Sequence, residues 1–136
     1  MCWITRKTSI KQIADSDLKV YKILKCRNNR IVSPVMIEFV WELNRTYKTK
    51  LDNPYYIICG KIMNTITHGF HSLSEPPKLH MPLCYKKWHI RGCDIMYYNT
   101  DEYVFEAVVP KGSEYYENEK GEIVSNQLKI IRKYAG

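Results

Sequence analysis

From Tyr103 to Tyr134 the chain repeats one pattern: a short run of apolar, β-branched or aromatic residues, a turn sequence, then another such run. Tyr103–Val109, Ser113–Tyr116, Glu122–Val124 and Leu128–Tyr134 are the runs, and Asp94–Asn99 precedes them in the same style. Asn99–Asp101, Pro110–Gly112, Asn118–Gly121 and Ser125–Asn126 separate them, with the Gly, Pro, Asn, Asp and Ser chemistry that tight turns select. This punctuation predicts consecutive strands and constrains the fold more than any other feature of the chain.

The pattern is weaker upstream but of the same kind. In Leu18–Leu24, residues Leu18, Val20, Lys22 and Leu24 share one strand face, and Lys19, Tyr21 and Ile23 share the other. Arg27–Arg30 carries two asparagines, which tolerate turn conformations, and the apolar run resuming at Ile31 signals a hairpin. Val35–Leu43 alternates as a half-buried strand does, with a helix as the alternative, and Pro34 before it suggests a bulge or an edge. Tyr55–Met63 reads as one buried strand that Gly60 could bulge. Thr8–Asp17 reads as a short capped segment. Residues 65–92 are the least regular, punctuated by Gly69, Pro76, Pro77, Pro82 and Gly92, and are the expected place for an active-site loop. The predicted fold class is α+β: a β-rich mixed or antiparallel sheet, or two packed sheets, with one to three short helices.

A chain of 136 residues is long enough to bury a core without covalent staples, so residues 1–136 are expected to form a single domain. An apolar fraction of 45% and 11 tyrosines exclude a disordered chain. No apolar run approaches the ~18 residues that suggest a membrane span, and no signal peptide is recognisable at the N-terminus. Five scattered cysteines cannot all pair in one framework, so reduced thiols and a cytoplasmic setting, in a bacterium or an infected host cell, are expected. Lys and Arg exceed Asp and Glu by 11 to 4 over residues 1–50 but fall behind, 5 to 7, over residues 101–136. A positive front of this kind is either a solvated lysine-rich surface or one that attracts an anionic partner, a nucleotide, a nucleic acid or an acidic host protein.

Chemistry-bearing motifs are sparse. His68, His71, His80, Cys84, His89 and Cys93 offer zinc donors, but the paired close spacings of a zinc finger are missing, and no metal is expected. Cys59 or Cys84 with His71 or His89 would supply a thiolate nucleophile, although nothing local selects a pair. The phosphate-loop and dinucleotide glycine motifs are absent. Basic and aromatic residues interleave at Tyr47-Lys48, Tyr85–Trp88 and His89–Arg91, a mixture that grips nucleic acid by phosphate pairing and stacking. Glu114, Glu117, Glu119 and Glu122 crowd a nine-residue window around the turn at Gly121, either a solubilising hairpin tip or a carboxylate cluster of the kind functional sites use.

Three segments resemble the ADP-ribosyltransferase-like fold, a split sheet shared by poly-ADP-ribose polymerases and small toxin and phage enzymes. Lys19–Leu24 resembles its opening strand, Gly69–Ser74 the serine-bearing strand under the nicotinamide, and Gly121–Ile131 the last strands with their catalytic Glu. The resemblance implies NAD as cofactor, Glu122 or Glu119 as the carboxylate that steadies the ribosyl cation, and Lys22, Tyr21, His71, Ser72 and Ser74 as cofactor-binding residues. Lys22 stands where Arg or His is expected, so the resemblance also implies a nucleotide-binding relative without turnover. The Met-Cys start, Trp41-Glu42-Leu43 and the Pro110–Ile131 block are also similar to small uncharacterised bacterial and phage proteins, a likeness that supplies no function of its own but suits a mobile-element or phage accessory role. A binding module of that kind could counter a host defence pathway.

Overall fold

A computed structural model describes residues 3–5, 10–27, 30–32, 40–51, 55–58, 62–66, 68–80, 86–90, 93–97 and 102–134. Within them the chain forms sixteen strands. In order these are β1 (Trp3–Thr5), β2 (Gln12–Ile13), β3 (Leu18–Arg27), β4 (Arg30–Val32), β5 (Val40–Trp41), β6 (Thr46–Lys48), β7 (Tyr55–Ile58) and β8 (Ile62–Ile66). They continue with β9 (Phe70–Leu73), β10 (Lys78–His80), β11 (Lys86–Ile90), β12 (Cys93–Tyr97), β13 (Glu102–Val109), β14 (Glu114–Glu117), β15 (Glu122–Ser125) and β16 (Gln127–Lys133).

The α+β expectation is wrong: among the described residues there is no helix, and every strand pairing is antiparallel. In the Thr8–Asp17 segment the proposed cap residues Thr8 and Ser9 lie outside the described residues, and Gln12 and Ile13 form strand β2 by gaining a ladder against Tyr115 and Glu114. The one helical alternative, Val35–Leu43, largely falls outside the described residues, and its end, Val40–Trp41, is strand β5. Tyr55–Met63 is two strands rather than one, with Ile58 opposite Ile62 in an antiparallel pair. The stretch expected to be an irregular loop holds β9, β10 and β11. No helix among the described residues is long and apolar enough to cross a membrane.

Ten strands make the main sheet, in the order β2-β14-β15-β9-β3-β13-β16-β6, with β4 pairing β3 and β5 pairing β4. The other two sheets are β1-β8-β7 and β10-β11-β12. β3 and β13 form the spine, pairing without a break from Leu18↔Val109 to Lys25↔Glu102. Where β13 meets β16 the register slips between Glu106 and Ala107, a bulge that sharpens the local twist.

One face of this sheet carries the principal core, with Val20, Leu24, Trp41, Phe105, Ala107, Val109, Ile123, Leu128 and Ile130 buried together. The opposite face carries a smaller cluster in which Tyr21, Ile23, Leu73 and Tyr134 pack around Val104. Farther along, Leu51, Tyr116 and Val124 form a third cluster. We call these the core face and the outer face of β3.

Gly69 enters β9 with φ near +141°, and a Cβ placed there would sit 2.5 Å from Val124 Cγ2 and 2.8 Å from Leu51 Cδ1. Both the backbone and the third cluster therefore demand glycine. Gly69→Ala is expected to destabilise the protein by about 2 kcal/mol or more, combining backbone strain with overpacking. A urea-denaturation midpoint unchanged from wild type would show that the approach of β9 to Val124 is not tight.

Candidate functional site

The alternation of β3 puts one charged residue in an apolar row. Leu18, Val20, Leu24 and Cys26 all pack into or against the core-face cluster, and Lys22 occupies the same row opposite Phe105. Its ammonium donates a hydrogen bond to the His71 carbonyl at 2.6 Å and lies 5.8 Å from the centroid of the Trp41 ring. These partners, a carbonyl and an aromatic face, include no carboxylate. Desolvation pushes the Lys22 pKa from the ordinary 10.5 down to about 8. The residue as a whole keeps intermediate exposure, yet protein packs closely around its ammonium, and the ammonium's surroundings govern the titration.

Aromatic rings line this place. Trp41 is buried and meets Tyr47 edge-on at 5.0 Å and Phe70 at 5.5 Å. Beside them, Ser72 shares the core face, because it pairs with Ile123, which belongs to the principal core. Ser72 is only 5% exposed, and its hydroxyl has no hydrogen-bond partner among the described residues. An orphan hydroxyl of this kind costs about 1–3 kcal/mol, so its presence calls for a reason.

The residues expected to bind a cofactor separate into two groups. Lys22, the His71 carbonyl and Ser72 come together on the core face. Tyr21, one residue from Lys22, points to the outer face, where it packs against Val104 and meets Tyr134 at 5.2 Å. The His71 side chain also lies on the outer side, since His71 pairs with Val124. Ser74 follows β9 and donates its backbone N–H to the Gly121 carbonyl at 2.8 Å, with its hydroxyl facing the place a Gly121 Cβ would occupy.

Glu122 does not join Lys22. It pairs with Leu73, which pairs in turn with Tyr21, so its side chain belongs to the face opposite Lys22 and Ser72. It is buried, and its Oε1 accepts a hydrogen bond from Asn118 Nδ2 at 2.7 Å. The Asn118 Oδ1 accepts from the backbone N–H of Glu122 at 2.9 Å and of Lys120 at 3.0 Å. This reciprocal pair closes the β14–β15 hairpin. Glu119 is exposed at its tip.

Trp41 and Phe70 are the site residues that sequence reasoning passed over. The signal that could have found the place is the lone Lys in the Leu18, Val20, Leu24 row; nothing in the sequence shows which rings approach it. Among the described residues no group of His, Cys, Asp or Glu converges to hold a metal. The His80, His89 and Cys93 side chains and all of Cys59 and Cys84 lie outside the described part. Compared with known proteins, the chain matches no family model, no curated sequence and no solved structure.

Two predictions follow the geometry. Below pH 8 Lys22 is charged in both folded and unfolded chains, so the folded state bears the full cost of the buried ammonium. Between pH 8 and 10.5 the folded state gives up its proton first, so stability rises with pH across that window. Lys22→Met is therefore expected to be the more stable protein at neutral pH, by a few kcal/mol, with the gap closing towards pH 10.5. Denaturation curves whose difference is flat with pH would show that Lys22 keeps its ordinary pKa.

At the hairpin, Glu122→Ala strands the Asn118 amide and is expected to lose about 1–3 kcal/mol. Glu122→Gln, which keeps an acceptor for Asn118, is expected to lose much less. Equal losses in the two variants would mean that this hydrogen bond does not hold the turn.

Proposed function

We propose that this chain is a non-catalytic binding module for a small organic anion, with nucleotides, NAD among them, as the ligand class. The observation that carries this reading is a Lys22 ammonium held in an apolar row with no carboxylate partner among the described residues, on the same face as a buried Ser72 hydroxyl that has no hydrogen-bond partner among them either. An isolated buried charge is unfavourable, and a ligand carboxylate or phosphate would relieve it while giving Ser72 an acceptor. Trp41 lies beside the charge and packs edge-on against Phe70, so a ligand anion reaching Lys22 would meet an aromatic wall. A reducing, cytoplasmic setting, bacterial or in an infected host cell, suits the five cysteines, and a counter-defence or accessory role in a mobile element suits a small ligand-sequestering domain.

ADP-ribosyl transfer is the weaker reading. It needs a carboxylate beside the ribose, and the strand register turns Glu122 away from Lys22.

Thermal-shift and calorimetric titrations with NAD, ADP, AMP and their uncharged nucleosides test the proposal. Phosphorylated ligands are expected to stabilise the wild type, nucleosides to do so weakly or not at all, and Lys22→Met to lose the difference. A bound anion favours protonated Lys22, so affinity is expected to fall as pH rises above 8. Nucleosides binding as tightly as nucleotides, or full binding by Lys22→Met, would overturn the reading. Nicotinamide release by wild type that disappears in Glu122→Gln would restore the transferase in its place.

A further inference from the structure

The outer face of β3, β13 and β16 presents a second pattern, chemically distinct from the Lys22 site. The registers arrange it in rows across the strands. Lys19, Val108 and Lys129 stand side by side, with Thr46 of β6 beyond Lys129. The next row is Tyr21, Glu106 and Arg132, and the one after it is Ile23 and Val104, with Tyr134 joined to Val104 through a backbone hydrogen bond of 2.8 Å. Lys48, opposite Gln127, stands on the same face two residues along from Thr46.

Charge on this face is unbalanced. In these rows Lys19, Lys48, Lys129 and Arg132 are cations and Glu106 is a carboxylate, while Lys25 and Glu102, paired at the far end of the same face, cancel, which leaves +3. Glu106 holds Arg132 Nε at 2.6 Å and Lys19 Nζ at 3.5 Å, so one carboxylate orders two cations at once. Both cations remain open to solvent, with side chains 71% and 61% exposed. Tyr21 and Tyr134 sit in the same field at intermediate exposure, edge to face, with Lys19 lying 5.9 Å from the Tyr21 centroid.

We infer that this face binds single-stranded nucleic acid, with bases stacking on Tyr21 and Tyr134 and phosphates pairing with Lys19, Lys48, Lys129 and Arg132. Single strands expose base faces to an aromatic platform on a sheet, whereas a duplex offers such a platform only phosphates. Charge complementarity alone would accept a duplex or an acidic protein. The tyrosines within the basic rows are what favour an unpaired strand.

Fluorescence anisotropy with a labelled oligodeoxythymidine, a matching oligouridine and a duplex of the same length tests the inference. Single strands are expected to bind at least tenfold more tightly than the duplex, with affinity falling as salt rises. Tyr21→Ala is expected to weaken single-strand binding by about tenfold. Lys48→Gln with Lys129→Gln, which spares the Tyr21 packing and the Glu106 ion pairs, is expected to reduce the salt slope by about 1.4, at about 0.7 for each phosphate contact. Lys22→Met is expected to bind oligonucleotide as the wild type does, so that loss of the small-ligand site and loss of this face are read separately. Duplex binding equal to single-strand binding, an unaltered salt slope in the double variant, or no oligonucleotide binding would each overturn the inference.

Discussion

The unbroken ladder between β3 and β13 is the constraint from which the rest of the structure follows. With a period of two, its register sends Val20, Lys22 and Leu24 to one side of the sheet and Lys19, Tyr21 and Ile23 to the other. A one-residue slip of β3 would drive Lys19 towards the principal core and expose Val20 and Leu24, and the same slip of β13 would do so with Glu106, Phe105 and Ala107. The apolar residues on both strands therefore lock the register by the area they remove from water. Both candidate surfaces inherit their composition from this ladder: the interior ammonium lies on one side, the basic and aromatic rows on the other.

A charged residue inside that ladder runs against the logic of the core around it. Methionine or leucine at position 22 would bury apolar surface without desolvating an ammonium, and burial of the lysine is what lowers its pKa. Ser72 on the neighbouring strand repeats the conflict on a smaller scale, with a hidden hydroxyl that has no partner among the described residues. Local departures from good packing tend to gather where a protein binds something. Two such departures lie on the same face of adjacent strands, and the proposed ligand site is built on them.

The crowded glutamates show the contrasting case. Around Gly121 the sequence suggests a cluster of carboxylates, and the structure disperses it. Glu122 is buried and bonded to Asn118, Glu114 pairs with Lys11 at 3.4 Å, and Glu119 is exposed at the tip. The Asn118 side chain organises the turn by accepting two backbone N–H groups, which is ordinary turn chemistry for Asn. The hairpin is thus explained as a structural closure of β14 on β15.

Local chemistry was enough to read the C-terminal strands and their turns, the two faces of β3 and the hairpin after it, because alternation and turn residues act over a few neighbouring positions. The same local rules misjudged the Thr8–Asp17 segment and the irregular stretch after position 65, where short segments become strands only through ladders with distant partners. Gln12 needs Tyr115, and Phe70 needs Ser125. The sequence also determined that Lys22 would share a row with apolar residues. Only the tertiary structure decided that the row is a core, that Trp41 and the His71 carbonyl meet the ammonium, and that Glu122 faces the other way. Those outcomes depend on which strands become neighbours and in what register, and pairings between residues far apart in the chain leave little trace in any short segment of it.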